Sequence, residues 1–357
     1  MKEIGSEFWL TKENLEPTNL KTPYCLNLGV ESKLLLSGRT AIDLVLRDIQ
    51  ENKEIYNVYF PAYCCQSMLQ PFIDHGVNVI FYDVNYDDGL KFDINENQQC
   101  DIFFAMNYFG FSRGRMDSYI RIFKQRNITV IEDSTHSLLS ESPYNNQSDY
   151  IVASLRKWFP IISGGLAVNT RKQFVIKQIN EMSEEMIEIR KSAMLHKGRY
   201  MNGIKSIEKR VLLERYSIAN EMLQNDYILY GIDKDSYNIL QKIDLDFVVN
   251  RRKRNARVLY DSLKENYNFK LFFSDLDNGD CPLFIPIVFK SSTERDSLRR
   301  YLIDHSVYCP IHWPRPAMLI EEDKTNIYDY ELSLLADQRY GDTDMQYIIR
   351  RLDEFYD

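Results

Sequence analysis

The sequence predicts an α/β chain: a large domain around a mainly parallel sheet, then a smaller α+β domain. Three observations predict it. Short, nearly continuous apolar runs alternate with helical patterns through the first half of the chain. From about residue 171 to 268 the pattern turns helical and charged, with almost no strand signal. After that, strand and helix patterns return together.

The strand candidates of the first half are 57–63 (NVYFPAY), 77–84 (VNVIFYDV), 100–107 (CDIFFAMN), 128–133 (ITVIED), 149–155 (DYIVASL) and 165–170 (GLAVNT). Several lack polar alternation, as strands covered on both faces do. Between them, residues 40–50 place Ile42, Val45, Leu46 and Ile49 on one helical stripe. In the middle region, 171–194 and 246–266 each read as one long helix. The last region offers strands at 268–273 and 283–290, then helices at 292–306 and 342–356. Ser291, Ser292 or Thr293 is placed to cap the first of these helices. The predicted division is 1–245, including a helical connector over 171–245, and 246–357.

Composition narrows the function classes. The 357 residues are 44% apolar and 27% charged, with a net charge of −8. That balance suits a soluble protein and offers nucleic acid no general attraction. The one basic block, Arg251-Arg252-Lys253-Arg254, reads as a solvated helix face. Cys25, Cys64, Cys65, Cys100, Cys281 and Cys309 show no CxxC spacing, and the five histidines form no HExxH pattern. No metal site is expected. No signal-like or membrane-length apolar run occurs, so a reduced, cytoplasmic setting is the expectation.

Three segments carry candidate chemistry. In LLLSGRTAIDLVL, the sequence Ser37-Gly38-Arg39-Thr40 opens the amphipathic helix, where free N–H groups can meet an anion; a plain N-cap is the simpler alternative. In ITVIEDSTHSLLS, Asp133 falls at a strand end, the ligand-facing edge of an α/β sheet, with His136 just beyond. It also suits a helix cap. In SLRKWFPIISGG, Lys157 lies among aromatic and cationic neighbours that destabilise an ammonium and favour the free amine. Anion cradle, strand-end aspartate and strand-end lysine, in that order, are the inventory that pyridoxal phosphate requires. Neither GxGxxG nor GxxxxGK[ST] is present.

The same segments resemble the DegT/StrS-like sugar aminotransferases, a family of fold-type-I enzymes dependent on pyridoxal 5'-phosphate. SGRTAIDLVL looks like the family's SGTxAL segment, YFPAYCCQS like VPxxT[FW]xA, and FYDVNYDDGLKFDI like DVDPxTxxID. AMNYFGFSRG resembles HLYGxPxD, and VIEDSTHSLLS is close to VIEDAAQAxG. SDYIVASLRKWFPIISGGLAV matches the strand, lysine and glycine-pair segment. VVNRRKRNARVLYDSL and LLADQRYGDTDM extend the resemblance over nearly the whole chain.

The resemblance implies the type-I fold, with a seven-stranded sheet and a small C-terminal domain. It implies that Lys157 bonds the cofactor and later moves the proton of the 1,3-shift. Asp133 would face the pyridine nitrogen, and His136 would stand where the family has Gln. Gly38, Arg39, Thr40 and Ser154 would hold the phosphate, with Tyr63 or Cys65 over the ring. In CPIHWPRP, His312, Trp313 and Arg315 would touch substrate or pack at the domain junction. A homodimer, a glutamate-like amino donor and a keto-sugar acceptor, free or nucleotide-linked, are the implied partners.

The chain departs from the family in two further ways. Ser154 and Lys157 lie three residues apart rather than five, and no GxNxRM loop occurs, YGIDKDSYNIL with Asn238 standing in its place. Two other readings therefore stay open: a different reaction on the same cofactor, such as dehydration or deoxygenation, and a silent binding or regulatory protein.

Overall fold

All six strands expected in the first half form, and they sit in one eight-stranded sheet. The computed structural model of the protein describes residues 3–16, 23, 26–181, 184–204, 208–263, 267–319 and 325–357. Cys25, part of the cysteine pattern above, lies outside them. The first strands are β1 (Ile4–Gly5), β2 (Glu31–Leu35), β3 (Asn57–Pro61), β4 (Asn78–Tyr86) and β5 (Leu90–Asp93). Next come β6 (Ile102–Met106), β7 (Thr129–Asp133), β8 (Tyr150–Ser154) and β9 (Gly165–Asn169). The C-terminal strands are β10 (Phe269–Leu271), β11 (Ile285–Phe289), β12 (Val307–Tyr308) and β13 (Glu331–Leu334).

The main sheet has the order β2-β9-β8-β7-β6-β3-β4-β5. Strands β8, β7, β6, β3 and β4 run parallel, whereas β9, β2 and β5 join antiparallel. The expected seven-stranded sheet is thus present, and β5 extends it as a hairpin partner of β4. Strand β6 (IFFAM) is buried at every position. Its lack of alternation follows from its central place, where both faces meet other layers. Rings close the packing there: Phe103 stacks on Phe123 at 4.1 Å between centroids, and Phe60 lies 4.4 Å from Phe104.

The helices are α1 (Lys12–Leu15), α2 (Gly38–Gln50), α3 (Gln66–Asp74), α4 (Asp117–Gln125), α5 (Glu184–Met201) and α6 (Lys209–Asn225). They continue with α7 (Lys234–Leu240), α8 (Leu245–Ser262), α9 (Ser292–Asp304), α10 (Ile327–Tyr330) and α11 (Asp342–Tyr356). Helix α2 buries its predicted stripe and also Asp43 and Asp48. The acids are matched inside: His75 and Arg47 meet Asp43, while the Tyr150 hydroxyl donates to Asp48 at 2.9 Å.

Two expectations about the middle region are corrected. The helix expected over 171–194 begins only at Glu184. Before it, the Phe174 N–H donates to Glu31 at 2.6 Å and the Val175 N–H to Asp48 at 2.5 Å, so side chains of β2 and α2 take the amides a helix would need. The basic block on α8 is only partly a solvated face. Arg252 is 1% exposed, donates to Gln338 at 2.7 Å and to the carbonyls of Pro282 and Leu283, and covers Trp158 at 4.5 Å.

Strands β10, β11 and β13 form a small antiparallel sheet, and β1 pairs with β12. Strand β13 was not foreseen. Ser291 is the residue that caps α9, accepting from the Glu294 N–H. Apolar side chains of the small sheet and of the large one belong to one continuous core. No described helix is long and apolar enough to cross a membrane.

Candidate active site

Strands β3, β6, β7 and β8 are parallel, so their carboxyl ends share one edge of the sheet. Asp133 ends β7, paired with Met106 on one side and Val152 on the other. Lys157 follows β8 by one short turn, Leu155–Lys157. Cys65 follows β3 and begins α3. This is the edge at which α/β sheets bind ligands.

The glycine pair brings the start of α2 to the same place. A Cβ on Gly165 would come within 2.0 Å of the Ser37 carbonyl oxygen, so only glycine lets β9 pass that close. The Gly164 N–H donates to the Leu36 carbonyl at 2.8 Å, and the Leu155 N–H to the Gly164 carbonyl at 3.1 Å. Gly38 consequently lies against Ser154, where an added Cβ would meet the serine Cβ at 3.2 Å. Ser37 caps α2 by accepting from the Thr40 N–H at 3.2 Å.

A cavity of about 270 Å³ opens between these parts, lined among others by Gly38, Arg39, Cys65, Asp133, Ser154 and Lys157. A second, of about 440 Å³, lies on the other side of Lys157, with His312, Trp313 and Arg156 in its wall. The first alone is slightly under the roughly 300–1,000 Å³ usual for small-molecule sites. Because Lys157 and Arg156 border both, the two together are a place for a cofactor and a second molecule beside it.

Trp158 fixes the lysine loop. Its indole N–H donates to the Thr135 carbonyl at 2.6 Å, and its own carbonyl accepts from Gln338 at 2.5 Å. The side chain is fully buried under Arg252. An aromatic neighbour of Lys157 therefore acts as a bolt between the loop after β7 and the C-terminal part of the chain.

Three titratable groups meet here: Asp133 and Lys157 in the cavity wall, and His136 against the lysine. Burial, first of all, pushes the Lys157 amine down, and Arg156 adds to this, while Cys65 and Asp133 oppose it. Burial pushes Asp133 up, against the Thr135 hydrogen bonds and Lys157, which hold it down. His136 is fully buried and held well below its ordinary value, by burial and then by Lys157 and His312.

The hydrogen bonds of His136 select a tautomer. The Phe109 N–H donates to Nδ1 at 3.2 Å, and Nε2 lies 3.3 Å from Lys157 Nζ. A neutral imidazole has one acceptor nitrogen and one N–H. With Nδ1 accepting, Nε2 carries the hydrogen and donates to the lysine, which must then offer a lone pair. This geometry favours the free amine over the ammonium, in the same direction as burial. The Phe109 amide is aimed by a left-handed turn at Phe109 and Gly110, with φ of 60° and 86°, a conformation costly for Phe.

Of the residues singled out in the sequence, Gly38, Arg39, Cys65, Asp133, Ser154 and Lys157 line the first cavity, with His136 touching the lysine. Thr40 is fully buried just behind, its hydroxyl 3.0 Å from that of Ser37. Tyr63 is not in the cavity wall; it packs between Tyr108, Trp313 and Tyr328. Trp313 lies 5.4 Å from Lys157 Nζ and 5.6 Å from the His136 ring. His312 bonds Ser333 and Glu331 and faces the second cavity. Arg315 pairs with Asp329 at 3.1 Å and borders neither cavity. Asn238 sits on α7, likewise away from them. Sequence reasoning missed Arg156, Trp158 and the Phe109 amide, and the first two stood on either side of Lys157 in SLRKW.

No family model matches this sequence, and no curated protein does. Solved structures do. An aminotransferase of Helicobacter pylori, PseC, involved in the biosynthesis of pseudoaminic acid, matches with a TM-score of 0.66 at 13% identity, over 100% of this chain and 99% of its own. DesI, solved in the presence of its TDP-sugar product, gives 0.63 at 12% identity, covering 99% and 94%. A DegT DnrJ EryC1 StrS aminotransferase of Brucella abortus gives 0.62 at 16% identity, covering 93% and 87%. The chain is built on the fold of these sugar aminotransferases.

Proposed function

We propose that the protein is an aminotransferase that uses pyridoxal 5'-phosphate to move an amino group onto a keto-sugar. The observation that carries this reading is the placement of the Lys157 amine, whose protonation burial disfavours, 3.3 Å from His136 Nε2 and within electrostatic reach of Asp133, which lines the same cavity. The residues fit the cofactor: a helix start without side-chain bulk at Gly38, buried Arg39 and Arg156 Nε atoms with no hydrogen-bond partner among the described residues, and a strand-end carboxylate in the same wall. When bound, the cofactor supplies an aldehyde and a ring that takes up electrons.

The chain supplies the rest. Asp133 holds a charged ring nitrogen, and its buried position makes that pairing strong. Lys157 Nζ would hold the cofactor's aldehyde and would serve as the acid and base that moves the proton of the 1,3-shift. His136 directs Nε2–H at the amine or at an oxygen beside it. The start of α2 and Ser154 receive the phosphate. His312 and Trp313, across Lys157 in the second cavity, meet the substrate.

The acceptor is read as a sugar because DesI and PseC, which share the fold, are described with sugar chemistry; glutamate as donor and a nucleotide-linked acceptor rest on the family resemblance. So does the homodimer. The division after residue 245 rests on the change of pattern along the sequence, and it falls at the first residue of α8, Leu245.

Borohydride reduction of protein incubated with pyridoxal 5'-phosphate, followed by peptide mapping, tests the reading. Pyridoxyl on Lys157 is the expected result. Label elsewhere, or none, refutes it.

A further inference from the structure

We propose that Arg156, together with Arg39, forms a two-arginine clamp for the phosphate dianion of the cofactor. The inference rests on the cofactor reading above and assigns a residue that neither the motifs nor the resemblance placed there.

Arg39 begins α2 and Arg156 precedes Lys157, yet both line the same cavity. The Nε atoms of both are buried without a hydrogen-bond partner among the described residues. Such groups are costly to leave unpaired inside a protein. Their surroundings make matters worse. Arg156 is pushed down to about 9 by burial and by the positive charges of Arg190 and Arg39, with Glu7 opposing. Glu7 is already engaged, pairing with Arg190 at 3.2 Å. Among the described residues, Arg39 makes one bond, to the Gln224 carbonyl at 3.1 Å, and lies 5.1 Å from the Tyr227 ring.

Two arginines therefore border one cavity, neither of them in a salt bridge with a carboxylate among the described residues; Asp74 and Glu7 act on them only from farther off. A phosphate ester, carrying about −1.5 to −2 charges at pH 7, balances both; a single carboxylate would leave one over. The position agrees, since Gly38 and Ser154 lie in the same wall. Guanidinium forks also suit phosphate oxygens geometrically. Arginine at 156 places one fork beside the lysine that would hold the aldehyde, so the aldehyde and the phosphate, carried on adjacent ring carbons, are gripped from one short turn.

The experiment compares pyridoxal 5'-phosphate with pyridoxal, which lacks the phosphate. Each is titrated into the wild type, Arg156→Gln and Arg156→Lys, following the visible band of lysine-bound cofactor. Arg156→Gln should weaken pyridoxal phosphate by about 10- to 100-fold, the size of one charged hydrogen-bonding contact, and leave pyridoxal unchanged. Arg156→Lys should fall between. Equal losses for both compounds, or no loss for either, overturn the clamp; so does a substrate-carboxylate role, seen as weaker donor binding with unchanged cofactor affinity.

If Arg156→Gln does not fold, Arg39→Gln provides the same comparison with the same criteria. Should the wild type form no band with either aldehyde, the aminotransferase reading fails by itself. Calorimetry with inorganic phosphate then decides on the clamp alone: binding that Arg156→Gln abolishes supports it, and absence of binding overturns it.

Discussion

Replacing His136 by Gln tests the electrostatics of the site most directly. The ring is fully buried, and burial, Lys157 and His312 all oppose its protonation. Released on unfolding, it returns to the ordinary value of 6.5. Its folded value is depressed, so below pH 6.5 the unfolded chain binds a proton that the folded chain refuses. Stability contributed by the neutral ring is complete above that pH and is lost as pH falls. Each pH unit over which only the unfolded ring is charged costs about 1.4 kcal/mol. Glutamine does not titrate, so His136→Gln lacks this slope. The assay is urea unfolding of cofactor-free wild type and His136→Gln from pH 8 to 5. The gap between the two stabilities should be constant above pH 7 and then close by about 1.4 kcal/mol per unit. Other titrating groups are shared and cancel from the difference. Parallel curves throughout would show that the ring protonates freely in the folded state. The tautomer argument, with the free lysine amine it favours, would then be wrong.

Two further outcomes follow from the same structure. Trp158→Phe leaves the Thr135 carbonyl without its indole donor, and should lower stability by roughly 1–3 kcal/mol in denaturant unfolding; a change under about 0.5 kcal/mol, the scatter of ordinary surface substitutions, would deny Trp158 its role as the bolt of the lysine loop. Glu132 is pushed up to about 7, chiefly by burial, against bonds from Ser148, Asn145 and Asn107. Its value is raised on folding, so the stability it contributes is full below pH 4.5 and lost as pH rises towards 7, about 3 kcal/mol in all. Glu132→Leu should abolish that fall, and an unchanged pH profile would refute the assignment.

Much of the architecture was legible because its signals are local. Strands such as IFFAM have a composition that only a doubly covered position tolerates, and the stripe of Ile42, Val45, Leu46 and Ile49 has helical period. Asp133 and Lys157 could be placed at strand ends because strand ends are visible in the residues around them. Elements fixed by distant partners were not. The extended path of 171–180 depends on Glu31 and Asp48, and the burial of Arg252 depends on Gln338 and Trp158. Tyr63 and Cys65 show the same limit. They lie two residues apart, yet only the turn into α3 puts the cysteine in the cavity and the tyrosine in the aromatic core.

By itself, the sequence determined the order of strands and helices and which groups stand at the sheet's carboxyl edge, since periodicity and strand termini are written in neighbouring residues. Tertiary structure alone decided the direction in which the titration of those groups is pushed. How strongly the Lys157 ammonium is disfavoured, which nitrogen of His136 accepts, and which cavity Arg156 lines depend on burial and on atoms far along the chain. Coulomb energy and desolvation follow distance in space, and distance along the sequence does not report it.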